Sequence, residues 1–393
     1  MLVDRDWIHP IRWPRTRPFA QRFLRMFQNF GNRALTEEGA QQIYGMVIGE
    51  YNAAVERVER VFRPTRIMPI IANEALLAMQ YGTFVRGGRN VFYLTPTLVH
   101  MLELTDLGDV RLGDIAFPFD SFHISFGGAF GGAFPGPKNQ IDGAYVIRHG
   151  RGAPLQVLIT SRRLDCPPNR PEGWPFTRDL YFYAALDEDP DETLASLVDR
   201  FMAAELEDIE ARSLTSREIP EDQIPPDFPL TTEVVNVSAD TARERGEFLT
   251  ASTAEFRRAL GLAMMALCYM NSPSAEDDAT VYPDDAPAEL VAATKSAKPK
   301  TRRNAHRRLD IEGWQQIRLL GSSISHPASN ANEAPERVGS SGGFTMPPHL
   351  RRGHFRTRQH YGPGRSLTRC VWIRPVFVNA GEGDPSGPGR LYV

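Results

Sequence analysis

The sequence predicts an α+β fold in which N-terminal helices, a central antiparallel sheet and further helices are followed by a small β-rich C-terminal unit. Three observations support this. Apolar residues recur at helical spacing over 36–62. Short aromatic or β-branched runs, separated by Gly and Pro, occupy 108–186. Helical spacing then returns at about 191–212 and 238–271.

Four helices are predicted before the sheet. A basic amphipathic segment covers 17–30, and the 36–62 helix begins with an N-cap threonine and an acidic first turn. Shorter helices are predicted at 73–81 and 95–104, and the second has Pro96 at its first helical position.

Composition indicates a soluble, cytoplasmic protein. The chain has 393 residues, of which 41% are hydrophobic, so it can bury a core without disulfides. Its three cysteines form no disulfide framework and no zinc spacing, and the N-terminus lacks an apolar secretory signal. The longest apolar run has eleven residues, whereas a membrane span needs about 20. We therefore expect no membrane partner, no metal and no cofactor.

Charge divides the chain unequally. The net charge is −3, but residues 295–374 contain 16 basic and four acidic side chains, a local net charge of +12. Such asymmetry is typical of a polyanion-binding tail on an acidic body. The domain prediction follows this division. It comprises an α+β body over 1–271, a disordered linker over 272–308 that turns from acidic to basic, a short helix and polar loop over 309–343, and a basic unit over 344–393.

The basic run 295–308 includes Arg302 and Arg303 and has two interpretations. It is either a solubilising linker or an arm that follows nucleic-acid phosphates without reading sequence.

The strongest local motif is PHLRRGHFR, which continues through QHYGPG to TRCVWIRPVFV. Arginine forks bind phosphate, and aromatic faces stack on unpaired bases. In an extended strand, Arg352, His354 and Arg356 would share one face. The predicted nucleic-acid-binding residues of this unit are Arg351, Arg352, His354, Phe355, Arg356, Arg358 and Tyr361. The alternative is an edge strand and hairpin with solvated arginines.

We assign no catalytic residue, but the same motif allows a second function. A metal-independent ribonuclease would use histidines as general acid and base and an arginine to stabilise the phosphorane. Its candidate residues are His349, His354, His360 and Tyr361. A third possibility is a structural protein whose basic tail packs nucleic acid.

The glycine stretch FGGAFGGAFPG, at 126–136, lacks the Gly-Lys-Ser/Thr ending of a phosphate-binding loop. It predicts a mobile or tight loop between strands. Phe130 and Phe134 on this loop are candidate protein-binding anchors, because exposed aromatic rings on loops often bind partners.

The C-terminal pattern PHLRRGHFR, a glycine-containing turn and VWIRPVFVN resembles the signature of a family of phage and plasmid proteins similar to a type V-A anti-CRISPR protein. The segment IDGAYV at 141–146 is similar to the family's middle region, as is the strand-rich stretch before it with Phe119, Ser121 and Phe126. The resemblance implies a regulator that recognises a target polypeptide, the nascent N-terminal peptide of the CRISPR effector nuclease, and causes loss of its messenger RNA. The implied partners are RNA or a ribosome-associated nascent chain.

Overall fold

The structure is a computed structural model of the protein. The described residues are 8–16, 42, 45, 46, 49, 77, 79–132, 139–148, 154–163, 181–187, 189, 192–215, 241–276, 278–312, 314–324, 349–361, 363–365, 367–378 and 390–391.

Of the helices that follow, three lie within a few residues of the predictions at 95–104, 191–212 and 238–271, one extends from the predicted 73–81 helix to residue 86, and three have no predicted counterpart. The helices are α1 (His9–Thr16), α2 (79–86), α3 (Pro96–Glu103), α4 (Leu194–Thr215), α5 (Thr241–Met270), α6 (Ala288–Thr294) and α7 (Pro299–Ile311). The Thr95 hydroxyl caps α3 by accepting a hydrogen bond from Leu98 N at 3.3 Å, as its position before Pro96 predicts. The predicted 17–30 helix and nearly all of the 36–62 helix lie outside the described residues.

Thirteen strands lie in the described ranges and form three sheets. They are β1 (Asn90–Leu94), β2 (Thr105–Asp106), β3 (Ser121–Ser125), β4 (Asn139–Arg148), β5 (Leu155–Arg163), β6 (Tyr181–Leu186), β7 (Thr280–Val281), β8 (Ile317–Leu320), β9 (His349–Arg351), β10 (Gly353–Tyr361), β11 (Leu367–Ile373), β12 (Val376–Val378) and β13 (Arg390–Leu391). The sheets have the orders β6-β5-β4-β3-β1-β8-β7, β11-β10-β2 and β12-β9-β13.

The α+β prediction is confirmed, but the central sheet is mixed rather than antiparallel. Strands β3 to β6 pair antiparallel as predicted. Strand β1 instead pairs parallel to both β3 and β8. The chain leaves β1 through helix α3 before it returns as β3, and a helical crossover is the connection that parallel strands require.

The prediction of a disordered linker over 272–308 is wrong, because the structure describes regular elements in this segment. It contains β7, α6 and most of α7. Few large apolar residues occur there, but alanine, lysine and arginine favour helix, and small groups such as Ala286 and Ala305 are buried. The next segment was predicted as a short helix and polar loop, yet its IRLL run is β8, paired with β1 inside the large sheet. The sheet therefore extends beyond the predicted body boundary at residue 271.

The main core lies between one face of the large sheet and helices α3, α4 and α5. The C-terminal half of α5 is central, since its side chains from Ala266 to Tyr269 are all buried. On the opposite sheet face, α1 and α2 contribute His9 and Phe84, whose rings both meet Tyr145 edge-on. Within the described ranges, no helix combines the length and apolarity that a membrane crossing requires.

Candidate functional site

The C-terminal motif contributes strands to two three-stranded sheets, and the β11-β10-β2 sheet joins it to the body through β2. Strand β10 pairs antiparallel with β11 and parallel with β2, and Gly353 N donates to Leu104 O at 3.0 Å. A Cβ at Gly353 would lie 2.6 Å from Thr105 Oγ1 and 2.9 Å from Ile373 O. The glycine of the RRGHFR motif therefore permits the close approach of three segments.

Aromatic packing holds this sheet against α5. The Trp372 ring meets Tyr269 edge-on at 5.4 Å between centroids, and its Nε1 donates to Thr105 Oγ1 at 3.3 Å. Phe355 stacks on Trp372 and is only 4% exposed. Its prediction as a base-stacking residue is therefore wrong, because inward alternation along β10 places this ring in the core.

An open groove of about 620 Å³ runs along the outer side of β10. Its lining residues are Gly108, Asp109, His354, Phe355, Arg356, Thr357, Gln359 and His360. The pairing of β10 with β11 shifts register between Arg356 and Gln359. Such a bulge breaks strict alternation, and both Gln359 and His360 are exposed beyond it.

The opposite wall of the groove comes from the loop after β2, about 245 residues earlier in the sequence. Gly108 N donates to Asp106 Oδ1 at 3.0 Å, which closes a tight turn with Gly108 at φ 58°. This turn presents Asp109 to the groove. Sequence reasoning missed Gly108, Asp109, Thr357 and Gln359, and the Asp-x-Gly turn was the only local signal for the first two.

Arg356 brings a positive charge to the groove lining and Asp109 a negative one, and Arg351 and Arg352 lie shortly before the groove residues of β10 in the sequence. Arg351, Arg352 and Arg356 are exposed, and no described carboxylate lies within 4 Å of their guanidinium groups. Arg356 Nε donates to His354 Nε2 at 3.3 Å. This contact holds the His354 ring beside the Arg356 guanidinium.

The structure does not bring His354 and His360, two of the candidate ribonuclease residues, close together. His354 lies opposite Ile373 and His360 opposite Thr368, five ladder positions apart. At about 3.4 Å per residue, their backbones are roughly 17 Å apart, too far for both imidazoles to contact one phosphate. His349 lies on β9 in a different sheet, and its side chain and those of Arg358 and Tyr361 are outside the described residues.

The remaining predicted residues lie elsewhere. Arg302 and Arg303 are exposed on α7, where successive residues point about 100° apart. Phe130 is buried beside Phe126, and the Arg258 guanidinium lies 4.4 Å from its ring centroid. The prediction of Phe130 as an exposed anchor is therefore wrong: the glycines allow the loop to fold back onto α5. Phe134 lies outside the described residues.

Comparison with known proteins identifies the family. A model of the AcrVA2-like family, the anti-CRISPR type V subtype A2 family, matches residues 92–380. This range covers about three quarters of the chain, from β1 through β12, and includes the whole groove. Among curated proteins, none matches the chain significantly. With most of its length matched by that model, the protein belongs to the AcrVA2-like anti-CRISPR family.

Proposed function

We propose that this anti-CRISPR family member lowers the expression of a target protein by holding RNA in the β10 groove while it recognises the target polypeptide. The polypeptide proposed is the nascent N-terminal segment of a CRISPR effector, as the family resemblance implies. In this proposal the RNA is the messenger or an adjacent ribosomal segment, and the outcome is loss of the messenger in the cytoplasm.

The observation that supports RNA binding is the groove itself. Its lining includes the donors and acceptors of His354, Thr357 and Gln359, with the Arg356 cation and one carboxylate, Asp109; Arg352 is exposed two residues before His354. Nucleic-acid interfaces are polar and strongly positive, whereas protein interfaces have an apolar, charge-depleted centre. Arg352 and Arg356 have no partner among the described carboxylates, and arginines of this kind beside a polar groove are typical of a nucleic-acid interface.

Equilibrium binding of the full chain to a single-stranded RNA oligonucleotide tests this step. Each phosphate contact to a single strand contributes about 0.7 to the slope of log affinity against log salt. The variant Arg352→Ala/Arg356→Ala should therefore lower that slope by about 1.4. The matched control Arg200→Ala/Arg257→Ala removes two exposed guanidiniums that are paired with Glu192 and Asp199. Equal slopes for wild type and the Arg352/Arg356 variant would contradict the proposal.

The same RNA separates binding from ribonuclease chemistry. Because His354 and His360 are too far apart to share a phosphate, we expect full-length RNA after hours with the protein in EDTA between pH 5 and pH 8. Cleavage that disappears in His354→Ala would instead establish a catalytic histidine, and a bell-shaped pH profile would identify an acid and a base.

Recognition of the polypeptide is tested on ribosomes. Intact protein is added to stalled ribosomes that carry either the N-terminal segment of a type V-A effector or a scrambled segment of equal length. We expect retention on the first complex only. Equal retention on both complexes would show that RNA or ribosome binding alone accounts for the association and would refute target recognition.

A further inference from the structure

Helix α7 presents an unusual concentration of exposed positive charge that the groove does not use. Lys300, Arg302, Arg303, Arg307 and Arg308 are all exposed on this 13-residue helix. Among the described carboxylates, only Glu312 lies within 4 Å of one of these cations, at 3.8 Å from Arg308. Lys295 and Lys298, in the connection from α6, are exposed as well.

The helical period places most of these cations on one side of α7. At about 100° per residue, Lys300, Arg303, Arg307 and Arg308 fall within an arc of roughly 140°. Ala305 and Leu309, the buried residues of α7, lie on the opposite side. Arg302 falls near the direction of Leu309, away from the arc. We call Lys300, Arg303 and Arg307 the α7 cationic face.

Contacts on the buried side of α7 orient the α7 cationic face toward solvent. Leu309 is fully buried and Ala305 nearly so, and the hydroxyl of Tyr282 lies 2.8 Å from His306 Nδ1. Helix α7 also packs against α6. The orientation of the cations is therefore set by contacts on the far side of the helix and requires no partner.

The positive charges are placed where the helix itself disfavours them. The first turn of α7 contains no acidic residue, and Lys298 and Lys300 lie at the positive end of the helix dipole. A positive charge at this end is destabilising, whereas an anion there would be stabilising. A phosphate bound there would relieve the repulsion among the cations and with the dipole.

We propose that the α7 cationic face binds the phosphate backbone of double-helical RNA, as a second site separate from the β10 groove. Between Lys300 and Arg307 the other residue within this arc is Asn304, so this stretch of the face bears neither an aromatic ring for stacking on unpaired bases nor an aliphatic anchor of the kind that protein interfaces require. Contact with a duplex backbone needs neither. The choice of RNA over DNA rests on the proposed function.

The dimensions agree with such contacts. Lys300 and Arg307 are seven residues apart, which is about 10 Å along the helix axis. The phosphates of one strand of duplex DNA recur about every 3.4 Å along the duplex axis, and on this scale a face of that length aligned with the axis lies beside roughly three phosphates. Three phosphate contacts, one for each cation, are therefore geometrically reasonable.

The test measures binding of the full chain to a blunt duplex RNA at 0.15 M salt. With a slope of about 0.9 per contact, each lost phosphate contact weakens binding roughly fivefold at this salt concentration. The variant Lys300→Glu/Arg303→Glu/Arg307→Glu should bind about 100-fold more weakly, and its salt slope should fall by about 2.7. Arg303→Glu alone should lose at least about fivefold and Arg302→Glu, its matched neighbour, less than about twofold.

Other outcomes are equally informative. Equal effects of Arg302→Glu and Arg303→Glu would overturn the oriented face, and tighter binding to a duplex DNA of the same length would overturn the choice of RNA. The triple variant should unfold close to the wild-type temperature, because all three side chains are exposed and none pairs with a described carboxylate. It should also keep single-stranded RNA binding, which Arg352→Ala/Arg356→Ala weakens. Failure of this proposal is thereby distinguished from failure of the groove.

Discussion

Replacing Asp142 with asparagine should destabilise the fold far more than a surface substitution of the same kind. Asp142 is fully buried, and its Oδ2 lies 2.7 Å from the Arg12 guanidinium, which is 9% exposed. Thr160 Oγ1 donates to Asp142 Oδ1 at 2.5 Å, and Arg12 also donates to Ser161 O at 3.1 Å. This ion pair fastens helix α1 to the sheet at the bulge in β4.

The expected loss follows from burial. Asparagine keeps the shape of the side chain and an acceptor for Thr160, so the substitution removes the charge alone. Loss of one partner from a buried ion pair costs about 3–5 kcal/mol of unfolding free energy. Asp199→Asn is the matched control, because Asp199 forms a 2.6 Å pair with Arg257 in which both side chains are more than half exposed. Its loss should be about 0–1 kcal/mol.

Urea unfolding followed by far-ultraviolet circular dichroism measures both variants. A double variant, Arg12→Met/Asp142→Asn, should be less destabilised than the sum of its two single variants, since the buried cation is removed with its partner. If Asp142→Asn were no more destabilising than Asp199→Asn, the assignment of a buried structural ion pair would be refuted.

Three further predictions concern the core. A Cβ at Gly143 would lie 2.4 Å from Ile124 O. Gly143→Ala should therefore lower the free energy of unfolding, measured in urea, by about 1–3 kcal/mol. Gly113→Ala is the control and should be nearly neutral, because a Cβ at Gly113 would meet no atom within 4 Å. Burial lowers the pKa of His123 well below its usual range. Folded His123 therefore stays neutral while the unfolded imidazole is protonated below about pH 6.5, and stability should fall there by up to about 1.4 kcal/mol per pH unit. His123→Phe should reduce this slope, and an unchanged pH profile would contradict the reasoning. Trp372→Ala should cost about 3–5 kcal/mol and expose β10 to limited proteolysis; protection equal to wild type would show that other contacts hold the small sheet.

Local signals predicted many of the elements. The cap and proline at 95–96 define the start of α3, and the apolar periodicity of α4 and α5 predicts their positions to within a few residues. The alternation along β10 predicts that Arg352, His354 and Arg356 point outward. These features depend on backbone geometry within a few residues, so they are readable without knowledge of the fold.

Other features depend on partners far away in the chain. The four-residue β8 has too short a pattern to be recognised, and its place beside β1 comes from pairing with a strand more than 200 residues earlier. The helical linker was missed because the burial of Ala305 and Leu309 depends on neighbouring elements rather than on hydrophobic content.

The sequence by itself determined the α+β class, the strongly basic segment 295–374 and the arginine-histidine motif, since periodicity, charge and spacing are properties of the chain alone. Only the tertiary structure decided that Phe355 and Phe130 pack inward, that Gly108 and Asp109 close the groove, and that the burial of Ala305 and Leu309 orients α7. Burial and shared surfaces arise from contacts between distant segments, and these contacts exist only once the chain has folded.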